Sequence, residues 1–290
     1  MTNKHLFAFG FGSTASVLAA RLQGGGWRIS GTCRTSEKAE AMRSKGVEPH
    51  LFAGDGKFDP GVLDGVTHML LSIPPDEEGD LVLRAMKEDI ASQRETLEWI
   101  GYLSTTGVYG DRAGAFVDET MEMAPTSERG RRRQAAEEAW FEFGRAIGVP
   151  VQTFRLAGIY GPGRNQIVSL RAGKARRIVK PGHVFSRIHV EDIATVLEAS
   201  IAKPNPGAAY NVCDDEAAPP QDVVAFAANL IGLKPPPEVP FEDADLTPMA
   251  RSFYAESKRV SNKRIKTELG VDLRFPTYRE GLRALSEAGD

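Results

Sequence analysis

The 290-residue chain lacks the features that identify secreted, membrane-spanning and nucleic-acid-binding proteins. Its two cysteines, Cys33 and Cys213, form neither a disulfide framework nor a metal-ligand spacing, which suits a reducing compartment. No apolar run approaches the roughly 18 residues that span a membrane, and the amino-terminal segment lacks the pattern of a signal peptide. The formal net charge of −3 provides no basic field for nucleic acid. We therefore expect a cytoplasmic protein with no metal site and no membrane or nucleic-acid partner.

Apolar strand-like segments alternate with helix-like segments through the first half of the chain. The predicted strands are Leu6–Phe9, Trp27–Thr32, Val47–Phe52, His68–Ile73, Trp99–Ser104 and Val151–Leu156. The helices predicted between them are Ala15–Gln23, Ser36–Lys45, Leu81–Ala91 and Gln134–Ile147. This βαβ alternation predicts the α/β class and a doubly wound parallel Rossmann sheet.

The second half of the chain is less regular, and glycine–proline clusters interrupt it. The helices predicted there are Val190–Ile201, Pro219–Ile231, Lys258–Gly270 and Tyr278–Ala288. No internal repeat and no low-complexity tail is present in the sequence.

A glycine-rich turn, Gly10–Ala15 (GFGSTA), joins the first predicted strand to an apolar helix. Gly10 permits a tight turn, Gly12 lets a pyrophosphate approach the backbone, and Ala15 lets the helix pack closely on the sheet. The amides at the start of the helix then face the pyrophosphate. The candidate cofactor contacts are Gly10, Phe11, Gly12, Ser13, Thr14 and Ala15. The alternative is a strand-to-helix turn that binds no ligand.

The end of the second strand favours NADP over NAD as the cofactor. An NAD site usually places a carboxylate there for the ribose hydroxyls, whereas this chain has Arg34 and Thr35, which suit a 2′-phosphate. Asp55 is a candidate contact for the adenine amine, or a plain loop aspartate. Candidate cofactor contacts at the ends of the fourth and fifth strands are Ser72, Ile73, Pro74 and Ser104.

Several later segments resemble the extended short-chain dehydrogenase/reductases, the superfamily of NAD-dependent epimerases and dehydratases. In the family's order, these segments are Leu103–Gly110 (LSTTGVYG), Asp118-Glu119, Pro125–Ser127, Phe154–Gly163 (FRLAGIYGPG), Arg187–Asp192 (RIHVED) and Tyr210–Val212 (YNV). The resemblance implies a dinucleotide-binding domain over 1–162 and a smaller C-terminal α/β substrate-binding region over 163–290. Residues 188–212 are expected to return to the Rossmann sheet. A homodimer is left open.

The chain departs from the family at the Tyr and Lys of the active-site helix. Aligning the segment that begins at Pro125 places Arg129 at the Tyr position and Arg133 at the Lys position. A guanidinium cannot exchange a proton near pH 7, so this pattern is similar to atypical members of the family. Under this reading, Arg133 still contacts the cofactor ribose and Arg129 binds an anion. The alternative is a solvated basic helix face paired with Glu137 and Glu138.

Four further side chains complete the candidate site. Thr105 retains the family's hydroxyl position on the fifth strand. Tyr109, Tyr160 and Arg187 are candidate substrate contacts, although core packing is the favoured role of both tyrosines. His189 is expected to be structural.

Two functions are consistent with these residues. The first is an NADP-dependent oxidoreductase, epimerase or dehydratase that acts on a small polar or anionic substrate, such as a nucleotide sugar, with a non-standard active site. The second is a non-catalytic NADP(H)-binding redox sensor that signals to a partner protein. The retained Thr105 and the substrate-binding half favour the enzyme, and the missing Tyr and Lys favour the sensor.

Overall fold

The computed structural model describes residues 4–54 and 58–290, apart from the side chain of Met249. The described strands are β1 (His5–Phe9), β2 (Arg28–Cys33), β3 (Glu48–Leu51), β4 (His68–Leu71), β5 (Trp99–Thr105), β6 (Phe116–Val117), β7 (Val151–Leu156), β8 (Gly158–Tyr160), β9 (Arg177–Val179), β10 (Arg187–His189), β11 (Ala209–Val212), β12 (Glu238–Pro240) and β13 (Arg259–Val260). The described α-helices are α1 (Ser13–Gly24), α2 (Ser36–Arg43), α3 (Leu81–Ser92), α4 (Glu128–Ile147), α5 (Gln166–Arg171), α6 (Val190–Ala202), α7 (Pro220–Leu230), α8 (Pro248–Ser252) and α9 (Tyr278–Glu287). Short 3₁₀ helices occupy Pro60–Leu63, Thr106–Tyr109 and Phe241–Asp243, and a π-helix occupies Ile265–Leu269.

Seven strands form the predicted parallel sheet, in the order β11-β7-β5-β4-β1-β2-β3. The chain reverses its direction of winding at β1, which pairs with β2 on one side and β4 on the other. In such sheets a ligand site lies outside the carboxyl ends of the strands at this reversal. The topology therefore predicts a ligand site at the turn that follows β1. The fold class predicted from the sequence is confirmed.

Apolar side chains on both faces explain why the central strands form. All five residues of β1 and all four of β4 are buried, as expected for a parallel sheet covered on both sides. Trp99 is fully buried on β5, and its indole nitrogen donates to Gln152 Oε1 at 2.8 Å and to Ser200 Oγ at 2.9 Å. The indole hydrogen bonds join β5 to β7 and α6.

The described residues form two compact units. Unit 1 comprises the described residues of 1–105, 128–155 and 194–210, and unit 2 comprises 106–127, 156–193 and 211–290. Unit 2 holds three two-stranded parallel pairs, β8–β10, β9–β12 and β6–β13. Its core brings α5, α7 and α9 together around Ile167, Val223 and Leu282.

The boundary predicted at residue 162 lies inside unit 2, because unit 2 already takes up 106–127 and 156–162. Within the segment predicted to return to the sheet, Ala209–Val212 forms the edge strand β11. The assignment of cofactor binding and substrate binding to the two parts of the chain stays a prediction.

One predicted helix is wrong. Lys258–Gly270 begins as strand β13 and ends as the short π-helix, instead of forming one helix. Val260 pairs with Val117 of β6, and its amide donates to Ser186 Oγ at 3.1 Å. The Lys258 ammonium is buried against the Gly110 carbonyl at 2.6 Å. These tertiary contacts override the helical propensity of the segment.

Within the described ranges 4–54 and 58–290, no helix is long and apolar enough to cross a membrane. Over the same ranges, no group of three or more His, Cys, Asp or Glu side chains is arranged to hold a metal ion.

Two helical glycines differ in the space around them. A Cβ on Gly144 of α4 would lie 2.4 Å from Val151 Cγ2 and 3.0 Å from the Val149 carbonyl oxygen. A Cβ on Gly24, the last residue of α1, would meet no atom within 4 Å. We expect Gly144→Ala to reduce the free energy of unfolding by about 1–3 kcal/mol through overpacking. Gly24→Ala should leave it unchanged or raise it by up to ~1 kcal/mol.

Urea unfolding followed by circular dichroism measures both effects, and Gly24→Ala is the control. An unfolding midpoint for Gly144→Ala equal to that of the parent would contradict the close packing of α4 on β7.

Candidate functional site

The turn after β1 is fixed by hydrogen bonds from both neighbouring strands. Gly10 has a φ of 86°, in the left-handed region that favours glycine. Its amide donates to Thr32 Oγ1 at 2.7 Å, and the Phe11 amide donates to the Thr32 carbonyl at 2.9 Å. The Ser72 hydroxyl donates to the Gly10 carbonyl at 2.5 Å. The end of β2 and the residue after β4 therefore hold this turn in one conformation.

Gly12 leaves open space beside the start of α1. It is the N-cap of the helix and has no side chain with which to form a capping bond, and a Cβ there would meet no atom within 4 Å. The first helical hydrogen bond runs from the Ser16 amide to the Gly12 carbonyl at 2.9 Å, so the amides of residues 13–15 precede it. The first turn contains no acidic residue. This positive helix end suits the pyrophosphate of a dinucleotide.

Candidate cofactor residues surround this turn. A Cβ on Gly10 would lie 2.9 Å from Ile73 Cγ1, so Ile73 packs against the turn. Pro74 is exposed beyond Ile73, and Ala15 is buried where α1 meets the sheet. Asp55, the candidate adenine contact, lies outside the described residues.

Arg34 and Thr35 follow the end of β2, and both are exposed. Thr35 is the N-cap of α2 and accepts a hydrogen bond from the Lys38 amide at 3.3 Å. Arg34 has no ion pair or hydrogen bond to any residue in the part of the chain that the structure describes.

A buried charged cluster lies behind the carboxyl end of β5. The Glu137 carboxylate is fully buried and accepts two hydrogen bonds from Arg155 to Oε2, at 2.9 and 3.1 Å. It also accepts a short hydrogen bond from the Ser104 hydroxyl. Burial raises the pKa of Glu137, and the Arg155 guanidinium opposes this shift. Ser104, a candidate cofactor contact, thus has its hydroxyl directed at α4, and Thr105 follows it, partly exposed.

The two arginines at the predicted active-site positions have different environments. Arg133 is buried and donates from Nη1 to the Leu103 carbonyl at 2.6 Å and to the Tyr102 hydroxyl at 3.0 Å. Arg129 is exposed. Arg133 thus supports the end of β5. Of these two arginines, Arg129 is the one whose charge is exposed to solvent.

The alternative of a solvated basic face paired with Glu137 and Glu138 is corrected by these contacts. Arg131 and Arg132 pair with Glu128 instead, at 2.8 and 3.2 Å. Glu137 is occupied by Arg155 within the core. Glu138 accepts a hydrogen bond from Gln134 at 3.0 Å.

The two candidate tyrosines of unit 2 are core residues in the structure. Tyr109 is fully buried and donates to Asn211 Oδ1 at 2.8 Å. Tyr160 is buried, and its hydroxyl oxygen is 2.1 Å from the position of a Cβ built on Gly281 of α9. His189 is also buried, and burial lowers its pKa to about 4, which leaves it neutral. Tyr109 and His189 thus lie in the core, whereas Tyr160 is buried and also lines the cavity described next.

Unit 2 contains a cavity of about 360 Å³ that includes Arg187 in its lining. Nη1 of Arg187 donates to the carbonyls of Phe185 and Ala218 at 2.7 and 3.1 Å, and the guanidinium lies over the Phe185 ring at 5.3 Å. Much of the remaining wall is aromatic: Tyr160, Phe253, Tyr254 and Tyr278. A cation anchored by two carbonyls in an aromatic cavity is suited to bind an anionic group.

Two features of the site were missed from the sequence. Glu137 and Arg155 lie 18 positions apart, and only the packing of α4 on β7 brings them together. Asp214, two residues after the YNV segment, is buried in unit 2, and its Oδ2 has no hydrogen-bond partner. The pair of carboxylates at Asp214 and Asp215, one residue beyond the end of an apolar strand, was the available signal.

Comparison with known proteins identifies relatives of the whole chain and a family match for part of it. Residues 82–213 match the model of the NAD dependent epimerase/dehydratase family. A functionally unknown conserved protein from Silicibacter pomeroyi DSS is 56% identical, with 99% of each chain covered and a TM-score of 0.93. Protein YeeZ of Escherichia coli strain K12 is 28% identical over 283 residues, which cover 94% of this chain and 97% of YeeZ.

More distant structures share the fold. The dTDP-glucose 4,6-dehydratase of Bacillus anthracis strain Ames, solved in complex with NAD, is 16% identical with a TM-score of 0.78. The alignment covers 99% of this chain and 97% of that enzyme. At this identity the likeness concerns the fold alone.

The open space at Gly12 allows a test of the turn. We expect Gly12→Val to fold normally and to lose at least tenfold in affinity for NADP(H) and NAD(H), because the new side chain would occupy the space left for the pyrophosphate. Fluorescence titration with both reduced cofactors measures the affinity, and circular dichroism measures the fold. Gly24→Ala, at the other end of α1, is the control and should bind like the parent. Parental affinity in Gly12→Val would show that the cofactor does not bind at this turn.

Proposed function

We propose that this chain is a member of the NAD-dependent epimerase/dehydratase family, whose model matches residues 82–213, and that it is an enzyme that binds a nicotinamide dinucleotide at Gly10–Ala15. The observation that carries the proposal is the turn itself: it is fixed by β2 and β4, it lacks a Cβ at Gly12, and it ends in the uncapped start of α1. The dinucleotide supplies hydride transfer when bound. In this chain, the free amides at the start of α1 would hold its phosphates, and no acidic residue in the first turn of α1 would repel them.

The cofactor we propose is NADP, with NAD as the alternative. Arg34 follows the end of β2, is exposed, and has no carboxylate partner among the residues that the structure describes. Thr35 is occupied as the cap of α2, so Arg34 is the group that we assign to the 2′-phosphate. A charge-assisted hydrogen bond to a phosphate contributes roughly 1.5–3 kcal/mol, which is more than tenfold in affinity.

We expect Arg34→Ala to weaken NADPH binding by about tenfold or more and to leave NADH binding within about twofold. Arg43, an exposed arginine on the same helix–strand segment that pairs with Glu40, provides the matched control. Arg43→Ala should change neither affinity. Titration calorimetry with both cofactors decides the matter, and an unchanged NADPH affinity in Arg34→Ala would exclude the assignment.

The substrate we propose is a small polar or anionic molecule bound in the cavity of unit 2. Arg187 supports this assignment, since its guanidinium is the charged group of the cavity held in place by two backbone carbonyls. The dTDP-glucose dehydratase with the same fold acts on a nucleotide sugar. We therefore include nucleotide sugars in the proposed substrate class. Tyr109 is not part of this proposal, because its hydroxyl is bound to Asn211.

We further propose that the active site is non-standard in its proton chemistry. Arg129 is exposed but cannot exchange a proton near neutral pH, and Arg133 is committed to the end of β5. Thr105 is the partly exposed residue at that strand end, and we propose its hydroxyl as the catalytic hydroxyl of unit 1. We propose Arg129 as a cationic group of unit 1 that attracts anions by its charge.

Turnover is tested by mixing the protein and NADPH with a panel of aldehydes, ketones, sugar acids and nucleotide sugars, and following nicotinamide absorbance and product mass. We expect turnover of at least one anionic compound, with a loss of at least tenfold in kcat/KM in Thr105→Val. Thr106→Val, the adjacent hydroxyl, is the control. Tight NADPH binding without turnover of any compound class would overturn the enzymatic proposal in favour of a redox sensor.

A further inference from the structure

We propose that Asp214 is a protonation-linked regulator of anion binding at Arg187, so that the cavity of unit 2 takes an aromatic anion while Asp214 is neutral and releases it when Asp214 ionises. This proposal extends the proposed function. It rests on that function only for the assignment of the cavity to the substrate. The ligand class is a planar ring that carries a phosphate or a carboxylate.

The first observation is the direct connection between the two residues. The Asp214 amide donates to the Arg187 carbonyl at 2.7 Å, so the backbone just beyond β11 is joined to β10 at the arginine itself. Nevertheless, no ion pair within 4.0 Å joins the two side chains in the described part of unit 2. The guanidinium instead uses Nη1 for two backbone carbonyls, which carry no charge to compensate its own.

The second observation is the environment of the Asp214 carboxyl group. The side chain is only 3% exposed. Its Oδ1 accepts one long hydrogen bond, from the Glu216 amide at 3.3 Å, and its Oδ2 has no partner. An ionised carboxylate in this position would lack the hydrogen bonds that normally compensate burial. Burial raises the pKa of Asp214 to about 8, against the opposing charge of Arg187.

The third observation is that the other titratable groups around the pair keep one charge state over the range in question. His183 is buried, and burial lowers its pKa to about 4, so it is neutral above pH 6. Burial raises the pKa values of the phenols and of the neighbouring thiol above their ordinary values, which keeps these groups neutral up to about pH 9: Tyr160, Tyr254, Tyr278 and Cys213. Two further acids already have cationic partners: Glu216 pairs with Arg279 and Asp215 pairs with Lys266. Asp214 is thus the group expected to titrate between pH 7 and 9.5.

The sign of the effect follows from these charges. Below pH 8 Asp214 carries a proton, and an external anion meets the uncompensated charge of Arg187. Above pH 8 the new carboxylate repels that anion and partly neutralises the guanidinium. By linkage, a bound anion must raise the pKa of Asp214 by the same free energy, so anion binding near pH 8 takes up protons. A coupling of typical size corresponds to about 5- to 150-fold in affinity.

The aromatic wall defines the rest of the ligand. Phe253 and Tyr254 lie on one side of the cavity, and Tyr254 is fixed by the Lys180 ammonium at its carbonyl and by the His183 ring at 5.2 Å. Flat aromatic surfaces next to an anchored cation favour a ring that bears an anionic substituent. Benzyl alcohol has the ring without the charge, and it should bind weakly with no dependence on pH.

The experiment is titration calorimetry of the whole protein, without cofactor, using phenyl phosphate and benzoate between pH 7 and 9.5. Both probes keep a constant charge over this range, and their relative affinities distinguish a phosphate from a carboxylate site. We expect the affinity of the preferred probe to fall about tenfold or more. Asp214→Asn should bind at the pH 7 affinity throughout. Arg187→Gln should lose binding at every pH.

Asp215→Asn is the matched control, because it removes the adjacent, exposed carboxylate and should retain the parental fall. A parental fall in Asp214→Asn, or binding that does not need Arg187, would overturn the proposal. If Asp214→Asn does not fold, the parent alone decides: titrations at pH 8 in buffers of different ionisation enthalpy must show uptake of about half a proton per anion. Uptake of no proton would equally overturn it. Because cofactor and turnover play no part, pH-linked binding without any enzymatic activity would contradict the proposed function and leave this inference intact.

Discussion

The buried pair of Glu137 and Arg155 is the interaction on which the arrangement of unit 1 depends. The two buried charges are tolerated because the Arg155 guanidinium and the Glu137 carboxylate pair with each other. The Ser104 hydroxyl donates a further hydrogen bond to Glu137. The pair joins α4 to β7, and through Ser104 to the end of β5. Removing one member of such a pair commonly costs roughly 3–5 kcal/mol, so helix and sheet have little freedom to shift at this point.

Helix α4 consequently has a different role from the one its sequence position implies. Its residues 133 and 137 point into unit 1 and contact three consecutive residues of β5, Tyr102, Leu103 and Ser104. Among its arginines, Arg131 and Arg132 are used in surface ion pairs with Glu128, which contribute little individually. Arg129 is exposed at the start of the helix and Arg145 near its end. The helix holds the strand end at which Thr105 lies, and the arginines at the predicted Tyr and Lys positions cannot exchange a proton near pH 7.

The sequence predicted the central sheet well because its signals are local. Apolar strands, glycine stops and the GFGSTA turn each act within a few residues, and all six predicted strands of the first 156 residues are present as β1–β5 and β7. The helix expected at Lys258–Gly270 failed because its structure is set by partners far along the chain, Val117 and Gly110. Asp214 could not be predicted as a functional residue for the same reason. Its proposed role depends on its burial near Arg187, and the burial of a single polar residue leaves no pattern in the sequence.

The division of the chain between the two units has a consequence for its biosynthesis. Each unit is assembled from three separate stretches, and β11, the edge strand of the main sheet, ends at Val212. The sheet therefore cannot be completed until residue 212 has been translated, by which time residues 106–127 and 156–193 of unit 2 have also been made. Contacts between residues so distant in sequence form slowly. Until β7 has been made, nascent β1–β5 have an unpaired, apolar edge at β5, and such an edge favours aggregation.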